Sequence, residues 1–79
     1  MIVYMSKCHL SYKKLWMLLI EKDISSVQLR TELNIATGTM TKLRKNEEVA
    51  MSVLLRVCEY LKCNIGDIVD VIFVEESLD

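Results

Sequence analysis

Seventy-nine residues, 52% hydrophobic side chains, no proline and a formal charge of −1 describe one small domain with a single modest core. No run reaches the roughly 20 apolar residues of a membrane span. MIVYM at the start also lacks the basic segment and cleavage site of a secretion signal, so a cytoplasmic protein is expected.

Ile2-Val3-Tyr4 opens the chain with β-branched and aromatic residues that suit a short strand. In SYKKLWMLLIEK (11–22), Tyr12, Leu15, Trp16, Leu19 and Ile20 recur at i, i+3, i+4, i+7 and i+8. That spacing predicts an amphipathic helix, with Ser11 as its N-cap. Ser25 with Gln28 three residues on is a capping-box pattern and starts a second helix near Ser26. Leu29 and Leu33 face its core side, and Asn34 ends it, since asparagine tolerates the left-handed conformation.

A third helix begins at Ala36 or Thr37 and runs to about Arg44, with Ala36, Met40 and Leu43 as its apolar stripe. Thr37, Gly38, Thr41, Lys42 and Lys45 lie opposite. Glycine costs about 1 kcal/mol relative to alanine inside a helix. Gly38 sits about 170 degrees from the stripe at 3.6 residues per turn, which leaves it no packing role. Two readings stay open: the glycine is tolerated, or its missing side chain serves a close approach on the outer face.

The polar loop KNEEV leads to a fourth helix from Met51 to Lys62, carrying Leu54, Val57, Cys58 and Leu61 at helical spacing. Asn64 is placed to cap a short fifth, in which Ile65, Ile68, Val69 and Ile72 repeat the pattern. Val71-Ile72-Phe73-Val74 also reads as a strand, a partner for Ile2–Tyr4, within one chain or between two, in a small antiparallel sheet with Phe73 buried.

Three cysteines cannot all pair, and no signal segment accompanies them, which argues against a disulfide scaffold. Cys58 and Cys63 are five apart and Cys8 directly precedes His9, so neither pair has structural-zinc spacing, and no metal is expected. Cys58 falls on the apolar stripe, where free cysteine acts as a small hydrophobe. His9, the one histidine, has no triad partner and no phosphate loop exists, so neither an enzyme, a cofactor nor a small-molecule ligand is indicated.

The small net charge hides a division. Residues 1–46 hold eight basic and three acidic side chains, a balance of +5; residues 47–79 hold two basic and eight acidic, a balance of −6. Such asymmetry suits one side that faces a polyanion and another turned away.

Residues 25–46, SSVQLRTELNIATGTMTKLRKN, have the form of a helix-turn-helix: a two-turn helix, a left-handed turn and a second helix with a polar outer face. With Ser11-Tyr12-Lys13-Lys14-Leu15-Trp16, Val53-Leu54-Leu55 and Cys63-Asn64-Ile65-Gly66-Asp67-Ile68, the chain resembles the short single-domain regulators of the Cro and phage-repressor class, the Xre family. The resemblance implies an all-α, five-helix domain over residues 1–79 with its core in 11–72, to which the terminal strands would add a small two-stranded sheet. It implies double-stranded DNA as partner, a homodimer, and repression of transcription.

Carried over residue by residue, the resemblance makes Thr37, Thr41 and Lys42 candidates for base or phosphate contact. It places Ser26 and Gln28 on phosphate at the start of helix two, and gives Lys45 backbone affinity. Gly38 belongs to the same face. Departures are Asn34 at a turn position usually glycine, Arg30 where a small residue is usual, and Ala36 where serine often caps helix three. The alternative is a protein-interaction module on the same fold, such as an antitoxin-like partner or adaptor, since fold does not fix function.

Overall fold

The computed structural model describes residues 7–74. Strand β1 (Lys7–Ser11) leads into α1 (Lys13–Glu21), α2 (Ser26–Leu33), α3 (Thr37–Arg44) and α4 (Met51–Leu61). A single 3-10 turn, Ile65–Asp67, then connects to β2 (Asp70–Val74). The architecture is a small, mostly helical domain of four helices with a two-stranded antiparallel sheet.

The five-helix expectation is corrected here. Asn64 does open a capping box: its side chain accepts from the Asp67 amide, and the Asp67 carboxylate accepts from the Asn64 amide at 2.9 Å. The helix stops after one turn because β2 takes residues from Asp70 onward. Ile68 to Val74 is largely β-branched and aromatic, a composition that favours the pleated chain over a helix.

The sheet forms within one chain, but with a different first strand. Lys7 pairs with Val74, Cys8 with Phe73, His9 with Ile72, Leu10 with Val71 and Ser11 with Asp70. The expected strand at Ile2–Tyr4 lies outside the described residues. Phe73 is not buried as expected; it is 72% exposed. Directly paired residues share a face, so Leu10, Val71, Cys8 and Phe73 lie together. Leu10 packs against the core, while Cys8 at the far end is exposed, so the outer end of this face has nothing beneath it among the described residues.

Helix α1 starts one residue later than expected. Ser11 is the last residue of β1, and Tyr12 takes the N-cap position without a side-chain cap. The Ser11 hydroxyl still accepts the Lys13 amide at 3.3 Å. Ile20, assigned to the apolar stripe, is 79% exposed, because Leu15 and Leu19 alone define the buried line of so short a helix. Likewise Ala36 is an exposed N-cap, and Ile35 just before it fills the core position.

One hydrophobic cluster draws on every helix: Tyr12, Leu15 and Leu19 of the first segment, Leu29, Ile35, Met40 and Leu43 of the motif, then Leu54, Val57, Cys58, Leu61 and Ile68. Tyr12 has no exposed surface, yet both its polar groups are satisfied. Its amide donates to Asn46 Oδ1 at 3.0 Å and its hydroxyl to the Glu47 carbonyl at 2.9 Å. On the other side, Arg56 of α4 donates to the Leu33 carbonyl at the C-terminus of α2, where the helix dipole favours a cation.

Removing the Tyr12 hydroxyl separates its hydrogen bond from its packing. Tyr12→Phe is expected to lower stability by about 1 kcal/mol, leaving the Glu47 carbonyl short of a donor, without changing the fold. Burial, with Glu48 adding, raises the phenol's pKa in the folded protein. Its contribution is therefore full below the ordinary phenol value and drains away as pH rises through the raised one. Denaturant melts of both proteins at neutral and alkaline pH test this: the gap should be present at pH 7 and narrow at high pH. An equal gap at both would show that ionisation of Tyr12 plays no part.

Candidate nucleic-acid interface

The motif is held by local chemistry at each of its joints. Ser25 is the N-cap of α2, its hydroxyl accepting the Gln28 amide at 3.0 Å. Asn34 ends the helix at φ 52°, in the left-handed region, and the Ile35 amide folds back to the Arg30 carbonyl at 2.9 Å. This turn drives Ile35 into the core, and Ala36 is extended as α3 begins. Met40 and Leu43 then root α3 among the other helices.

With Met40 and Leu43 buried, the opposite side of α3 presents Gly38, Thr41 and Lys45, all exposed. Thr37 and Arg44 flank this face on one side at 100 degrees per residue and Lys42 on the other. A Cβ added at Gly38 would meet nothing within 4 Å. The Thr41 hydroxyl donates to the Thr37 carbonyl at 3.1 Å, which fixes its rotamer and leaves its oxygen as an acceptor. Lys42 turns toward an open cleft of about 620 Å³ that it lines with His9 and Leu10 of β1 and with Glu47 and Glu48 of the following loop.

Arg44 is the residue that sequence reasoning left out of the site. Its guanidinium donates to the Ser26 hydroxyl at 3.2 Å, joining the end of α3 to the start of α2. Ser26 and Arg44 are 18 residues apart, and no local pattern signals that they meet. Gln28, on the same first turn, is exposed.

Electrostatically, the two helix starts are alike. Neither α2 nor α3 has an acidic residue in its first turn. Ala36 is the N-cap of α3 and offers no side-chain cap. The amides of Thr37, Gly38 and Thr39 therefore have no carbonyl one turn behind them and no side-chain acceptor in the cap position. Each helix also carries about half a positive charge at its N-terminus. Amides, a cation and hydroxyls with spare lone pairs and protons are the groups that bind phosphate oxygens. No His, Cys, Asp or Glu side chains converge in threes among the described residues, and no helix there is long and apolar enough to cross a membrane.

Comparison with known proteins agrees with this geometry. Residues 14–73 match the model of the Cro/C1-type HTH DNA-binding domain. In solved structures, the chain is similar to the transcriptional regulator VanUg, with 40% sequence identity and a TM-score of 0.84 over 94% of this chain and 99% of that one. No curated protein sequence matches. A family match across most of the chain, on a fold whose helix-turn-helix has no acidic residue at either helix start, leads to one conclusion: this chain belongs to the Cro/C1-type helix-turn-helix DNA-binding domain family.

Proposed function

We propose that the chain is a sequence-specific DNA-binding transcriptional repressor that acts as a homodimer, with residues 36–44 inserted into the major groove. The observation that carries this reading is the outer face of α3, where Gly38, Thr41 and Lys45 stand exposed beside two helix N-termini that no carboxylate neutralises. Thr37, Thr41 and Lys42 contact bases or phosphates. Ser26, Gln28, Lys45 and Arg44 position the domain on the backbone. A compact domain on a promoter represses by occupying the site.

Dimerisation follows from the spacing of half-sites, one helical turn apart, which a single copy of this size cannot span. The surface best suited to join two copies is the outer edge of β2. No second strand pairs with that edge among the described residues, and Val71, Ile72 and Phe73 are all exposed there. An open apolar edge pairs readily with another strand, and two antiparallel copies of β2 satisfy a twofold axis.

One observation favours the alternative of an interaction module that leaves DNA alone. The reading face carries none of the forked side chains that bind guanine or adenine bidentately (arginine, asparagine or glutamine), and the Thr41 proton is already engaged.

A salt titration against a random DNA pool separates the two readings. Binding by the proposed contacts loses affinity with log slope of about 0.9 per phosphate neutralised. Lys42→Glu and Arg44→Met should weaken binding while the helical circular dichroism stays unchanged. A complex indifferent to salt, or undiminished binding by both variants, defeats the DNA reading.

Assembly is tested by sedimentation at micromolar concentration. The wild type should be a dimer, and Phe73→Lys, which places a charge at an already exposed position, should shift it toward monomer. A strict monomer both free and on DNA contradicts the dimer.

Gly38→Ala distinguishes tolerance from use. The open space around the position means the alanine helix should melt higher, by up to about 1 kcal/mol of stability. If the helix backbone approaches the duplex here, the same variant should bind its operator more weakly or prefer a different one. Higher melting with unchanged binding would leave the glycine without a role at the interface.

A further inference from the structure

Helix α4 ends in an arrangement that brings two cysteines together. Lys62 adopts the left-handed conformation at φ 55°, and the Cys63 amide returns to the Cys58 carbonyl at 3.0 Å. This six-to-one hydrogen bond defines a helix stop whose two closing residues ordinarily make a hydrophobic side-chain contact. Here both of those residues carry thiols. Cys58 is 9% exposed within the core, whereas Cys63 is half-buried and opens onto a groove beside Lys22, Lys62 and Asp67. The third cysteine, Cys8, is exposed on β1 and belongs to neither feature.

We propose that Cys58 and Cys63 form a thiol modification site that closes reversibly into an intramolecular disulfide by exchange with a small-molecule disulfide. A disulfide needs α-carbons about 4.4–6.8 Å apart and β-carbons directed at one another. A helix end that seats the Cys63 amide on the Cys58 carbonyl is one at which these two side chains ordinarily meet, so closure joins neighbours across a single turn.

The order of events follows from exposure. The Cys63 thiolate attacks one sulfur of the external disulfide; that S–S bond breaks, and one small thiolate leaves and takes up a proton. The Cys58 thiol, losing its proton to solvent, then attacks the Cys63 sulfur and expels the second small thiol. Two protein thiols are oxidised, one external disulfide is reduced to two thiols, and the protein loses two hydrogens. Burial first, then the nearness of Cys58, pushes the Cys63 thiol up, with Lys22 acting in the opposite direction. The first step therefore runs slower than the reaction of an ordinary exposed thiol, since the thiolate is the nucleophile. The second is fast, because the partner waits at an effective concentration of about millimolar or above.

The test uses the full chain, reduced, and its Cys8→Ser variant, each incubated with oxidised glutathione and followed by intact mass and peptide mapping. The Cys8→Ser variant should lose two hydrogens with Cys58 and Cys63 joined. The full chain should show the same joined pair beside one glutathione on the exposed Cys8. Both should keep their helical circular dichroism and return to the starting mass with dithiothreitol. Cys63→Ser should abolish closure and leave the buried Cys58 unmodified. A native protein that stops at a glutathione adduct on Cys63 overturns the proposal. So does one that keeps both thiols after Cys8 has fully reacted, or that joins Cys58 to Cys63 only when denatured.

Discussion

The rest of the domain depends on a buried phenol. Tyr12 sits where β1 gives way to α1, and its ring occupies the core beside both. Its two hydrogen bonds reach Asn46 and Glu47, immediately after the end of α3. A polar group buried without a partner costs about 1–3 kcal/mol, so the phenol is stable in the core only if that loop stays in place. The constraint runs both ways. By holding residues 46–47, Tyr12 fixes where α3 ends, and with Ile35 buried at the other end, α3 is clamped at both termini. Orientation of α3 on the domain is therefore a property of the core.

Ordinary local chemistry made much of this legible in advance. The Ser25 hydroxyl cap on the Gln28 amide, one half of the expected capping box, the Asn34 stop and the spacing of Met40 and Leu43 all act within a few residues, and each is present. What could not be read were contacts between distant residues: Tyr12 to Glu47 across 35 positions, Arg44 to Ser26 across 18, and the choice of Lys7–Ser11 as the partner of β2. The fifth helix failed for a related reason. Residues 65–72 carry a helical stripe while the run from Ile68 has strand composition, and pairing with β1 decided between them. Exposure of Ile20 and Phe73 belongs to the same class, since periodicity gives a face but not how far the body extends beneath it.

The use of left-handed backbone explains something about the glycines. Asp23, Asn34, Asn46 and Lys62 all have positive φ, and each lies at or just beyond the end of a helix. Three of the four are Asp or Asn, whose short polar side chains make this conformation tolerable. Neither glycine has positive φ. The chain thus ends every helix with side-chain-bearing residues, and Gly38 is found in the first turn of a helix where no backbone conformation requires it. Steric demand from within the domain is absent as well. Whatever the glycine serves lies outside the fold.

Helix α3 breaks local rules in two places that face the same way. Ala36 forgoes a cap worth about 1 kcal/mol, and Gly38 weakens the first turn by about 0.5–1 kcal/mol. An isolated eight-residue helix with these defects would not persist in water. Its stability must come from Met40 and Leu43 in the core and from the Tyr12 clamp on the following loop. Departures from local consistency gather at functional positions, and the rest of a structure compensates for them. Here the compensation lies on the buried side and both defects lie at the exposed start. A capping serine or an acidic first turn would occupy the free amides and cancel the positive end of the helix. Their absence keeps those groups free, so the missing cap that weakens α3 is also what leaves amides unpaired at its start.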